Sequence, residues 1–171
     1  TILFADAGDS YKKEKLFWLP ATGRWAGPHA HEAFIHSGRI TLAKGIRFWE
    51  VEKSEAEKQV LHEAVALSMR KSIAEEPTAS RWWYYLGDSL AYLGRHDEAA
   101  DALLRCIELS HWPEETNWAY YRAACVRHDQ DDDYAAIEIC KTAGLKTPEQ
   151  AWLCAFCLHL TGAHESAIET A

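Results

Sequence analysis

The stretch from Trp83 to Cys106 constrains this chain more than any other. Trp83, Leu86, Gly87 and Leu90 recur at helical spacing, as do Ala99, Leu103 and Cys106. Gly94, Arg95, His96 and Asp97 form a short polar turn between them. Two amphipathic helices joined so tightly must lie antiparallel. Small residues at Gly87 and Ala99 let their axes approach, while Trp83, Leu86, Leu90 and Leu103 fill the space around the contact. Such a pair cannot bury its apolar face alone, so it predicts neighbours of the same kind.

The neighbours follow. Trp118, Ala119, Tyr120 and Tyr121 restart the pattern, with Cys125 on the same face. Ala136, Cys140 and Ala143 supply a second helix that ends before Pro148. The intervening turn, from His128 to Asp133, is about two residues longer than the first. The run from Thr161 to Ala167 then echoes that from Leu93 to Ala99, at an offset of 68 residues, or two repeat lengths. In this third unit Ala151 takes the Trp position, with Trp152 beside it. The order Trp, Leu-Gly, aromatic, Ala resembles the tetratricopeptide repeat. The resemblance implies a mainly α, helical solenoid with units over about 79–113, 114–148 and 149–171. The third unit stops inside its second helix without a polar cap, so the sequence reads as a fragment of a longer chain.

Residues 53–76 predict one helix, capped by Ser54 with Glu57 as its capping-box partner. Val60, Leu61, Ala64, Val65, Leu67, Ser68, Met69 and Ile73 form its expected apolar side. Residues 53–78 then act as a connecting half-repeat.

Residues 1–52 differ in texture: rich in Gly, Pro and aromatics, with no sustained helical period. Strand-like runs occur at residues 16–19, 39–42 and 46–49. His29, His31, Glu32 and His36 cluster within eight residues. Imidazoles and a carboxylate at this density suit a metal site, a catalytic or ligand-contacting pair, or a hydrogen-bonded loop closure. The HExxH spacing is not met, since the second His falls at 36.

Leu16-Phe17, Gly23-Arg24-Trp25, Gly27-Pro28 and His31-Glu32 resemble, in this order, the end of the catalytic domain of bacterial family 2 glycosyltransferases. Some members of that family run directly into tetratricopeptide repeats. The resemblance covers residues 10–52. It implies that 1–52 is the closing β segment of a GT-A domain, in a parent that transfers sugar from a nucleotide-sugar donor to a glycan or protein acceptor. It further implies a divalent cation, Mn or Mg, in that parent, and none for this chain alone. His31 would contact the diphosphate or metal, Glu32 would act as base or position the acceptor, and Trp25 would stack on sugar or pack the loop. His29 and Ala30 separate Gly-Pro from His-Glu where the family usually has one residue, which makes His29 a second binding candidate. The metal-binding Asp motif of such enzymes is not found before His31. Asp6 and Asp9 flank Gly8 near the start, and Asp131, Asp132 and Asp133 read as a solvated loop between repeat helices.

The alternative reading is non-enzymatic: a protein-interaction scaffold whose repeat groove takes a peptide or protein. Net charge is −8, with no basic stripe, which argues against nucleic acid as a partner. No apolar run approaches the length of a transmembrane helix. The five cysteines all fall in the repeat region at apolar positions, which points to a reducing, cytoplasmic setting. Cys154 and Cys157 have CxxC spacing but sit within a predicted helix, so core packing is expected of them rather than zinc or redox chemistry.

Overall fold

The computed structural model describes residues 53–171 in full and, as backbone only, the strand segments 2–6, 12–17, 23–26, 33–36 and 40–42. The chain divides into two compact units, Thr1–Ser54 and Glu55–Ala171.

In the first unit, β1 (Ile2–Asp6) pairs antiparallel with β2 (Lys12–Phe17) and parallel with β5 (Ile40–Leu42). β3 (Gly23–Ala26) and β4 (Ala33–His36) form a separate antiparallel pair, with Gly23 opposite His36. The strand expected at 16–19 falls in β2 as far as Phe17, and residues 18–19 lie outside the described residues. The one expected at 46–49 lies outside the described residues. These pairings do not by themselves mark the tail of a GT-A domain.

The second unit is helical throughout. α1 (Glu55–Glu75) is followed by α2 (Ser80–Tyr92), α3 (His96–Leu109), α4 (Pro113–His128), α5 (Asp133–Ala143), α6 (Pro148–Leu160) and α7 (His164–Thr170). Each helix packs on the next, and α2 also meets α4 and α4 meets α6. The first helices of successive hairpins therefore line one side of the array.

The turns explain the hairpins. Gly94, Asp131 and Gly162 each stand two residues before a helix, and each has a positive φ, of 71°, 59° and 83°. Glycine adopts this left-handed conformation freely, and Asp is among the few other residues that tolerate it. Asp131 thus does in the longer turn what glycine does in the other two. Pro113 and Pro148 open α4 and α6, where a missing N–H costs nothing.

Leu86, Leu90, Ala99, Leu103 and Cys106 are buried in one cluster with Met69, Ala119, Ala123 and Val126. A Cβ added at Gly87 would lie 2.6 Å from Leu103 Cγ and 3.2 Å from the Ala99 carbonyl oxygen. The glycine is thus needed for close approach. Trp83 only borders this cluster, and its indole N–H donates to the Pro77 carbonyl at 2.9 Å. A second cluster joins Ala124, Ala136, Ile137 and Cys140 to Leu153, Cys154, Cys157 and Leu158. α4 contributes to both clusters.

The connecting helix corrects one expectation. Its buried residues are Ala66, Met69 and Ser72, with Val65 and Ile73 beside them. Val60, Leu61, Ala64 and Leu67 are exposed. The stripe that meets α2 is therefore narrower than the apolar content of the helix suggests.

Candidate protein-binding groove

Where α2 meets the start of α4, Arg81, Tyr84, Tyr85, Trp112, Glu114, Glu115 and Trp118 line a cavity of about 560 Å³. The local sequence accounts for its floor. Glu115 lies in the first turn of α4, where a carboxylate complements the helix dipole. It is nevertheless 8% exposed, so its charge needs partners. Ser80 and Ser110 donate their hydroxyls to Glu115 Oε2, and Arg81 Nε donates to Oε1 at 3.2 Å. The Arg81 guanidinium also lies 5.1 Å from the centre of the Trp112 ring, within cation–π range.

The walls are aromatic. Trp112 and Trp118 are about half exposed, at 50% and 46%. Trp118 meets Tyr121 edge to face at 5.8 Å, and Tyr84 meets Tyr85 in the same way. Burial, and secondarily the negative charge of Asp88, push the Tyr84 phenol up to about 12, so it stays a neutral donor at physiological pH. Asp88 in turn pairs with Arg122 Nε at 2.7 Å.

Two ion pairs connect α2 to α4, Arg81 with Glu115 and Asp88 with Arg122. Each joins residues one repeat length apart, with opposite signs at equivalent positions. The exchange of sign leaves Glu114 as the groove's unneutralised charge among its lining residues. Reading the sequence with this period in mind, opposite charges at equivalent positions, would have revealed the pairing.

Other expectations fare differently. His29, His31 and Glu32 lie outside the described residues, between β3 and β4 in the sequence. Trp25 falls within β3, of which only the backbone is described. Cys154 and Cys157 are completely buried, and burial raises both thiols above their usual range. The acidic turn is more than a solvated loop. Asp132 caps α5 by accepting the Ala135 N–H at 3.0 Å, and Asp133 Oδ1 lies 2.6 Å from His128 Nδ1. The acidic cluster hid these roles because adjacent carboxylates in a turn look alike in sequence.

No protein-family model matches the chain, and no curated protein matches it. Solved structures do. One is the crystal structure of MamA, 17% identical with a TM-score of 0.56, over 71% of this chain and 72% of that one. A second structure of MamA protein is 20% identical with a TM-score of 0.57, over 64% and 60%. A third, MamA MSR-1 C2, is 21% identical with a TM-score of 0.52, over 65% and 66%. The fold is a tetratricopeptide-type helical repeat. At these identities the likeness extends to the fold alone. It lends nothing to the glycosyltransferase resemblance, which no comparison supports. Among the described residues no helix is long and apolar enough to cross a membrane.

Proposed function

We propose that the helical unit is a protein-interaction scaffold and that the groove between α2 and α4 receives a peptide segment of its partner. The observation that carries this reading is the pair of half-exposed tryptophans, Trp112 and Trp118, beside a buried and fully partnered Glu115. Tryptophans held on a rigid polar floor are what recognition anchors require: large contact area at little cost in side-chain entropy. With Arg81 engaged by Glu115, the remaining charge is that of Glu114, which favours a basic or neutral segment with an apolar anchor over an acidic one.

The transferase reading rests on its motif from Leu16 to Glu32, with His31, Glu32, Trp25 and His29 as its site and Mn or Mg as its cation. It concerns a parent protein rather than the helical unit. The scaffold reading has the support of fold and groove, and we adopt it.

A peptide array tests it, with basic, neutral and acidic segments each carrying a central aromatic or Leu residue. Basic and neutral members should bind the protein, and Trp118→Ala should weaken them by tenfold or more, as loss of an aromatic hot spot of about 2 kcal/mol does. Equal binding by the Trp112→Ala, Trp118→Ala double variant would show that the groove is not the recognition site.

A further inference from the structure

His128, Asp133 and Cys157 converge where the turn between α4 and α5 touches α6. Their donor atoms, an imidazole nitrogen, a carboxylate oxygen and a thiol sulfur, all lie within 4.8 Å of one another. His128 Nδ1 is 2.6 Å from Asp133 Oδ1 and 4.0 Å from Cys157 Sγ. They come from three different helices, so helical periodicity alone does not bring them together.

Two chemistries suit a Cys, a His and an Asp. One is nucleophilic catalysis, in which the ring relays a proton from the thiol and the carboxylate orients the far nitrogen. The geometry excludes it, because both contacts fall on the same nitrogen, Nδ1. The other is metal coordination, in which donor atoms converge on one point. We propose that His128 Nδ1, Asp133 and Cys157 Sγ form a zinc site with solvent as the fourth ligand.

The spacing is close to what zinc needs. With nitrogen or oxygen at about 2.0–2.2 Å and sulfur at about 2.3 Å, tetrahedral donor atoms sit roughly 3.3–3.6 Å apart. The thiol must therefore approach the ring by roughly 0.4 Å, and the carboxylate must retreat from it by roughly 0.7 Å. Side-chain rotation provides shifts of that size. A mixed sulfur, nitrogen and oxygen set suits a borderline-soft cation such as zinc and not Mg or Ca. Access is on the His128 and Asp133 side, whose side chains are 32% and 20% exposed, while Cys157 closes the inner wall. On binding, the Cys157 S–H proton leaves to solvent and a thiolate–metal bond forms, so affinity rises with pH. The bound ion fastens the turn between α4 and α5 to α6, joining the second hairpin to the third. Phe156, edge-on to the His128 ring at 5.5 Å, connects the site to the exposed, stacked Trp152 and Phe156 pair.

The helical spacing of Cys154 and Cys157 points both to the core, and the glycosyltransferase resemblance implies no metal for this chain alone. The site needs Cys157 and not Cys154. The experiment uses the full 171-residue chain. Zinc is removed by chelation and Co(II) titrated in as an optical probe. One equivalent should bind with a thiolate-to-cobalt charge-transfer band, displaced by one equivalent of zinc. Cys157→Ala and His128→Gln should abolish the band, and Asp133→Asn should weaken binding by tenfold or more. Cys154→Ala should keep the band. A metal that binds without the thiolate band sits on imidazoles such as His29, His31 and His36 and overturns the proposal. So does an absence of binding, or a band that survives His128→Gln. Should Cys157→Ala fail to fold, His128→Gln decides, because that ring stands at the partly exposed end of α4.

Discussion

Gly87 shows how one residue sets the distance between two helices. Glycine within a helix is unfavourable by about 1 kcal/mol against alanine, so local propensity alone favours Gly87→Ala. The added methyl would meet Leu103 Cγ at 2.6 Å and the Ala99 carbonyl at 3.2 Å. Overpacking of that kind costs about 1–3 kcal/mol. The carbonyl is backbone and cannot rotate away, so the steric term wins. Gly87→Ala is expected to lower stability by about 1 kcal/mol in urea unfolding, net of these two effects. A more stable variant would show that α2 and α3 can move apart freely.

At the scale of elements, neighbouring hairpins are tied by buried polar groups as well as by apolar contact. Gln150, near the start of α6, has no exposed surface. Its side-chain N–H donates to the Asn117 carbonyl of α4 at 2.9 Å, and its oxygen accepts the Lys146 N–H at 2.8 Å. Gln150→Ala would leave the Lys146 N–H without that acceptor and take a second donor from the Asn117 carbonyl, which keeps its bond within α4; a polar group left unpaired costs about 1–3 kcal/mol. We expect a loss of about 1 kcal/mol or more, with hydrogen exchange quickening in α6 and α7 before it does in α2 and α3. Uniform quickening across the unit would mean that the hairpins do not open separately.

Over the whole molecule, the thiols make stability depend on alkaline pH. Burial pushes Cys106 and Cys140 up to about 12, from an ordinary value near 9. Between these limits the unfolded chain loses protons that the folded chain keeps, so stability is intact below about pH 9 and declines as pH rises towards 12. Each such thiol contributes a slope of up to about 1.4 kcal/mol per pH unit. Thermal unfolding from pH 8 to 11 should show the decline, and Cys106→Ala should make it shallower whatever its effect at neutral pH. An unchanged slope in that variant would mean that Cys106 is reached by solvent in the fold.

Local and periodic features could be read from the residues alone. The small residues at Gly87 and Ala99, the turn at Gly94 and the echo at Gly162 were legible because helical period and backbone conformation are written in adjacent residues. The order of the helices followed from the repeat length. Which face of each helix meets solvent did not. Trp83 borders the core, while Trp118 and Trp152, each one position past its equivalent in the later repeats, stand exposed, and Trp118 lines the groove. Only the packing of the helices decided that Asp133 turns to His128 and that Cys157 joins them from α6. The first contact depends on how the turn between α4 and α5 closes, and the second on how one hairpin is rotated against the next, a quantity that helical periodicity leaves free.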